Sequence, residues 1–437
     1  MINRGTSVAS DLELAESDHD QMVSGRSLWG KSGIRPEWRP IAQSFSTDVA
    51  VIGGGITGAL VAEHLTARGF SVALIDREEP GFGSTAASTA MLQWEIDSTL
   101  TELEDYYGFE RAAGIYRRSG AAVAGLSKLI AANEIACGFR SRNTLYLADG
   151  REGARNLLEE RQLRRRAGLP GVYLEHPDLF TQFELDRDGA IYSPGSAECD
   201  PLLLTWALLE MAVRRGARLV NASVTALHSE GDHVTAEIDG GHVIEARHVV
   251  LATGYSMPGL DMPKLHRSSS SWALATVPQD PANFWRDRAL IWEDSHPYLY
   301  MRTTADNRIV AGGEDDDTTD AEIRDRKLPA KTMAIQEKMK RLWPKADTRV
   351  EHAWCGTFGE TVDGLPLIGP VPETPHVFAA YGYGGNGITF SYLAAQMMGA
   401  MLAGMHRDWF EDFALDRDGP GLRRFGEDVA RGGKELR

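Results

Sequence analysis

The clearest pattern along the chain lies between Asp48 and Asp76. "DVAVIG" is a short, uninterrupted apolar run, which a strand covered on both faces requires. "GITGALVAEHLTARG" then spaces its apolar positions as a helix does and stops at Gly69, and "FSVALID" is a second apolar run. Strand, glycine turn, helix and strand make one βαβ unit, whose two strands run parallel. Further on, Leu103 to Asn133 and Gly153 to Ala167 read as helices, and "NTLYLA" from Asn143 as a strand. "DPLLLTWALLEMAVRRGA" from Asp200 is an amphipathic helix ending at Gly216; "RLVNASVTALH", "VTAEI" and "HVIEARHVVLATG" follow as strands. Residues 272–313 alternate with a strand-like period of two, and 330–342 return to helical spacing. The apolar stretch from Ile388 to Met405 is interrupted by Gln396, Gly399 and Gly404, so it reads as a buried helix and no membrane span is expected. Residues 1–25 are polar and acidic and are expected to be disordered, with order beginning near Ser27.

The turn inside the βαβ unit carries chemistry. Gly53, Gly55 and Gly58 form GxGxxG between the predicted strand and helix. The first glycine permits the tight turn, the second lets a diphosphate approach the backbone, and the third lets helix and strand pack closely. The helix N-terminus then offers free N–H groups and partial positive charge to the phosphates. Asp76, at the end of the second strand, is placed to accept hydrogen bonds from a ribose diol. The motif does not by itself separate FAD from NAD.

Composition narrows the picture. A chain of 437 residues is long for one core, so two domains are expected. With 43% hydrophobic and 25% charged residues it has an ordinary globular profile, and a net charge of -16 argues against a nucleic-acid partner. The three cysteines, Cys137, Cys199 and Cys355, form no CxxC pair, so neither a metal or iron–sulfur centre nor a disulfide framework is expected. Few cysteines and no apolar signal segment in "MINRGTSVASDLELAESDHD" together point to a reduced, cytoplasmic setting.

Three further features bear on the cofactor. "GFGSTAASTAMLQWEID" from Gly81 supplies small hydroxylated residues after the second strand. "ARHVVLATGY" from Ala246 is an apolar strand ending in Ala-Thr-Gly, and "DGLPLIGP" at Asp363 precedes the glycine-dense "AYGYGGNGITFS" at Ala380. On "DVAVIGGGITG", "VVLATG", "DGLPLIG" and "GYGGNGITFS", in that order, the chain resembles the FAD-dependent oxidoreductases of the D-amino acid oxidase family, the group with glycine oxidase and sarcosine oxidase. The resemblance covers roughly residues 45–405. "SLW" before the first strand and "GSTAASTAMLQWEID" resemble a bacterial branch of uncharacterised amine-oxidoreductase-like members, some with a C-terminal Rieske domain. No Cys/His pattern follows Cys355, so no such domain is expected here.

The resemblance implies an α/β fold with a discontinuous Rossmann-like FAD-binding domain (45–95, 195–262 and 350–405). Into it is inserted a substrate domain of mixed β-sheet plus helices (96–194 and 263–349), and a charged tail follows (406–437). It implies FAD contacts from Gly53, Gly55, Ile56, Thr57 and Gly58; from Asp76 and Arg77; from Gly83, Ser84, Thr85, Ser88 and Thr89; and from Val224, Thr253 and Gly254. Gly382, Gly384, Gly385, Asn386, Gly387 and Ile388 would lie under the pyrimidine end of the flavin, where backbone N–H groups and a helix N-terminus stabilise the negative charge of its reduced form.

The activity implied is oxidation of a C–N bond in a small amine or N-substituted amino acid, by hydride transfer to flavin N5 and hydrolysis of the resulting imine. The electron acceptor would be dioxygen or another molecule. The chain departs from the family's amino-acid oxidases where an arginine holds the substrate carboxylate: those places are Phe358 and Gly385 here. The matching His and Arg of sarcosine oxidases fall at Ala86 and Ala90, and the oxygen-activating lysine at Val310. Arg302 is a replacement clamp or a paired strand residue. His296, Tyr298 and Tyr300 alternate with a period of two, so Tyr298 and Tyr300 share a face with His296, either lining a cavity or filling a core. Gln93, Trp94, Glu95, Tyr381 and Tyr383 are further candidates for the lining. Cys355 lies near where sarcosine oxidases attach flavin covalently, one residue out of register, so the flavin is expected to be non-covalent. Two alternatives remain open beside an NAD enzyme: a dehydrogenase subunit passing electrons to a protein partner, and a flavin-binding protein without turnover.

Overall fold

The computed structural model describes residues 10–13, 23–30, 33–255 and 266–418, and of 10–13 the backbone only. Its strands form two ten-stranded sheets. In the first, Phe45–Ile52 lies between Val72–Asp76 and His242–Leu251, parallel to both. Arg218–Asn221 and then Arg39–Pro40 extend it in parallel on one side, and Val377–Tyr381 joins the far side of His242–Leu251, also in parallel. The chain therefore returns after more than a hundred residues to the strand ending in Ala-Thr-Gly. This alignment brings the carboxyl ends of the strands to one edge, where open α/β sheets bind ligands. Helices Ile56–Thr66, Pro201–Arg214 and Gly387–Leu402 pack together over one face, with Phe109–Ala132 behind them. "RLVNASVTALH" is two strands, not one: Val224–Glu230 leaves the parallel set and pairs antiparallel with His233–Ile238.

The second sheet places His266–Thr276 between Ile309–Asp316 and Val350–Thr361, antiparallel to both, and continues through Leu299–Thr303, Leu290–Glu293, Arg140–Leu147 and Gly189–Glu198. Side chains alternate across it. Trp272, Leu274, Met301, Ala311 and Cys355 pack beneath helix Ala321–Leu342 through Ile335 and Met339. Ser271, Ala273 and Tyr300 lie on the opposite face, toward the first sheet.

Several expectations need correction. Val350–Thr361 belongs to the second sheet, not to the FAD-binding domain, because its partner is His266–Thr276. The helical stretch from Leu103 is two helices, Leu100–Tyr107 and Phe109–Ala132, parted by Gly108 at φ 80°, and the second joins the core of the nucleotide side. The helix expected at 330–342 begins at Ala321, capped by Asp320, which accepts the Ile323 N–H at 2.8 Å. Disorder through residue 25 does not hold for two strands: Ser10–Glu13 pairs with Val224–Glu230, and Val23–Gly25 with Val350–Thr361. Backbone pairing gives these polar sequences their place. Nor is 406–418 a charged tail on the surface. Phe410 and Phe413 are buried, and Arg417 meets Asp363 at 2.6 Å with both side chains wholly enclosed. The remainder of the expected tail lies outside the described residues.

Candidate active site

A cavity of about 1690 Å³ runs between the two sheets. That exceeds the roughly 300–1,000 Å³ of a single small-ligand pocket, so it has room for a dinucleotide and a substrate. At one end stands the GxGxxG turn. Gly53 adopts φ 110°, and a Cβ there would collide with the Ala252 carbonyl. A Cβ on Gly58 would collide with the carbonyl of Gly53, so Gly58 sets the packing of helix on turn and does not itself line the cavity. Gly53, Gly55, Ile56 and Thr57 do line it. Gly55, at the N-cap, has no side chain to occupy the first turn. The Ile56 N–H donates to Thr85 Oγ1 at 3.0 Å, and the Gly54 N–H donates to Asp76 Oδ2 at 2.6 Å. Burial pushes the Asp76 carboxyl up, against N–H bonds from Glu78 and Gly54.

Asp76, Arg77, Gly83, Ser84, Thr85, Ser88, Thr89, Val224, Thr253 and Gly254 all face the same cavity. Ser84 Oγ is buried there without a hydrogen-bond partner. An orphaned hydroxyl beside a glycine cradle at a helix N-terminus is a donor set for a diphosphate. The residues fit FAD on these grounds.

The late glycine turn stands across the cavity. Gly384, Gly385, Gly387 and Ile388 line it with Tyr383, and helix Gly387–Leu402 starts from it. Gly382 and Asn386 do not. Gly382 sits against Thr361, His266 and Leu367, while Asn386 is buried and its Nδ2 donates to the carbonyl of Glu95 at 2.7 Å. The turn also holds a residue not anticipated from sequence. Asp97 Oδ2 accepts the Gly385 N–H at 2.6 Å, so this amide is committed to a carboxylate and not left for a flavin. A Cβ on Gly385 would stand 2.7 Å from Asp97 Oδ1, and one on Gly384 would collide with Oδ2. Both glycines leave space for Asp97. Asp97 is exposed toward the cavity; desolvation by the surrounding walls pushes its carboxyl up to about 7 against the Gly385 N–H bond, with the charges of Glu360 and Asp315 adding to the rise.

The second sheet forms the remaining wall. His296, Tyr298 and Tyr300 line it, and the two tyrosine rings lie 5.9 Å apart. The Tyr298 hydroxyl donates to Asp315 Oδ2, and Asp315 is pushed up to about 6, by desolvation first. Arg267 donates to Glu360 at 3.0 Å on the same wall. Farther out, Trp292 stacks on Tyr146 at 3.6 Å, and the Tyr146 hydroxyl donates to Asp294 at 2.8 Å.

Arg302 is a correction. It shares a sheet face with Tyr300, but it lies beyond the cavity, fully buried. It donates to the Cys199 carbonyl at 3.0 Å, stands 3.8 Å from Glu198 and covers the Trp29 ring. Of the other candidates, Gln93 reaches the cavity; Trp94 donates to the Pro194 carbonyl, and Glu95 accepts from Thr144. Tyr381 packs against His266, away from the lining. Phe358 and Ala90 line the cavity, whereas Ala86 and Val310 do not. Cys355 lies under helix Ala321–Leu342, on the far face of the sheet.

A family model described as FAD dependent oxidoreductase (DAO) matches residues 48–401, from the first strand through the last helix. The chain belongs to this family. It is an FAD-dependent oxidoreductase, and family members similar to it are oxidases and dehydrogenases. Gamma-glutamylputrescine oxidoreductase of Escherichia coli (strain K12) is 24% identical, covering 85% of this chain and 87% of that protein. Glycine oxidase of Bacillus licheniformis is 26% identical over 85% of this chain and 97% of its own. The crystal structure of glycine oxidase from Geobacillus kaustophilus has the same fold, with a TM-score of 0.71 at 22% identity, over 85% of this chain and 99% of that one. Among the described residues no helix is long and apolar enough to cross a membrane, and no group of three or more His, Cys, Asp or Glu is placed to hold a metal ion.

Proposed function

We propose that this chain oxidises a C–N bond in a small amine or N-substituted amino acid to an imine, which water then hydrolyses. The observation that carries this reading is one continuous cavity: it joins the GxGxxG turn, the late glycine turn and a wall of tyrosines and carboxylates. The names of the relatives, a gamma-glutamylputrescine oxidoreductase and glycine oxidases, support the same class of reaction. FAD, when bound, supplies the two-electron acceptor for the hydrogen leaving the carbon beside nitrogen.

The chain's own part is to bind, orient and deprotonate. Gly53, Gly55, Thr57 and Ser84, which line the cavity, would hold the diphosphate of FAD, and Asp76 its ribose. An ammonium must lose a proton before its nitrogen lone pair can assist oxidation, and a carboxyl near neutrality is matched to that step. Asp315, pushed up to about 6 and steadied by the Tyr298 hydroxyl, is the acceptor for that proton. Tyr300 and Phe358 add apolar surface that excludes water. The test is anaerobic mixing of the FAD-loaded protein with a panel of amines, followed by admission of oxygen. A substrate is expected to bleach the oxidised flavin band. Recovery of the band with peroxide release would identify dioxygen as acceptor, and slow recovery would identify another. Failure of every amine to bleach a photoreducible flavin would overturn the proposal.

A further inference from the structure

Asp97 leans over the late glycine turn, held by the Gly385 N–H at 2.6 Å in space that glycines 384 and 385 leave open. Asp315 and Glu360 line the same cavity. Asp315 gives one oxygen to Tyr298; the other, Oδ1, is buried without a hydrogen-bond partner. Glu360 is matched by Arg267, which also reaches toward Asp317 at 3.8 Å. Among the described residues, Arg77 and Arg267 are the only arginines or lysines lining the cavity. Arg77 follows Asp76 at the nucleotide end. Among the described residues neither Asp97 nor Asp315 has an ion-paired cation, although the charge of Lys331 reaches Asp315, and Tyr298 and Tyr300 line the same cavity.

Asp97 is reached by water in the open cavity, so a ligand that closes over it must replace that water with a positive partner, and aromatic side chains favour the same partner. A second carboxylate brought in by a substrate would meet like charge. We propose that Asp97 is the specificity-determining residue of the substrate site and that the substrate is a cationic amine of the diamine class, not an α-amino acid. The nitrogen that is not oxidised carries the charge that Asp97 recognises. This inference rests on the proposed C–N oxidation and narrows it.

The test uses three ligands of one length: putrescine, n-butylamine and norvaline, which is butylamine with an α-carboxylate. Each is titrated into the FAD-loaded protein without oxygen, and binding is read from the shift of the visible flavin band, separately from its bleaching. Putrescine is expected to bind about ten- to a hundredfold more tightly than butylamine, the range of a hydrogen bond to a charged group, and norvaline more weakly than butylamine. Asp97→Asn is expected to bring the putrescine-to-butylamine ratio close to one, and Asp97→Glu to keep putrescine ahead. Equal affinities for the two amines in the unsubstituted protein, or tighter binding of norvaline, would overturn the inference even if either variant fails to fold. Norvaline that binds tightly and bleaches the flavin would sink it while leaving C–N oxidation standing. Putrescine that binds tightly and never bleaches would do the reverse.

Discussion

At the scale of single residues, buried charge separates structural from functional groups. Asp363 and Arg417 are both wholly enclosed, 2.6 Å apart, with Tyr107 on the same carboxylate. Burial works against the Asp363 charge, and Arg417 together with the hydrogen bonds from Tyr107 and the Leu365 N–H outweighs it, so the carboxyl stays below its ordinary 3.8. Arg417→Met removes the partner and leaves Asp363 stranded, which is expected to cost about 3–5 kcal/mol in urea unfolding at neutral pH. Since the folded value is depressed, the pair's contribution is present above 3.8 and lost as pH falls through the folded value. The deficit of the variant is therefore expected to shrink in acid. Asp97 has the opposite sign. Its carboxyl is raised from 3.8 to about 7, so between those values the folded chain binds more protons than the unfolded one, and stability falls as pH rises through that window. Asp97→Asn is expected to raise the melting temperature more above neutral pH than in mildly acidic buffer. Asp97 was not legible from sequence, because its meaning depends on Gly385, which lies 288 positions away along the chain. Arg302 stood between clamp and paired strand residue, and the structure fits the second. The sequence around it does not show how far along the sheet the cavity extends.

At the scale of elements, the glycine turn was legible because its requirements are local: a strand, a positive-φ residue and a close helix lie within a dozen positions. Gly58→Val is expected to keep secondary structure by circular dichroism but to lose FAD, because its side chain would drive the helix off the Gly53 carbonyl. Gly384→Val is expected to lower FAD affinity as well, by displacing Asp97 and reshaping the turn; unchanged flavin content in that variant would count against the site. Domain boundaries were less legible. Val350–Thr361 adjoins "DGLPLIG" in sequence yet pairs with His266–Thr276 in the other sheet. Strand partners are chosen by tertiary packing, and an apolar strand carries no mark of which sheet it joins. The helix break at Gly108 was hidden because the apolar spacing runs on either side of it.

For the whole molecule, the cavity between the sheets couples stability to cofactor. A ligand that binds only the folded state stabilises it by about 2.7 kcal/mol at a hundredfold excess over its dissociation constant. Stripping FAD from the protein is therefore expected to lower its melting temperature, and adding FAD back to restore it. Gly58→Val should show no such response to added FAD. A melting temperature indifferent to FAD in the unsubstituted protein would contradict the assignment of the cavity. The α/β class was legible at this scale from the order of apolar runs, and the return of the late chain to the first sheet from the resemblance carried by its glycine-rich segments. The second wall was legible only in its His296, Tyr298 and Tyr300. Its acidic residues, such as Asp315 in "GGEDDD", look from sequence like an ordinary solvated strand end.

The two short strands at the start of the chain tie the layers to each other. Ser10–Glu13 is hydrogen-bonded to an edge of one sheet and Val23–Gly25 to an edge of the other. Two segments close together in the sequence are thus fastened to opposite walls of the site, so parting the walls would strain or break one of these pairings.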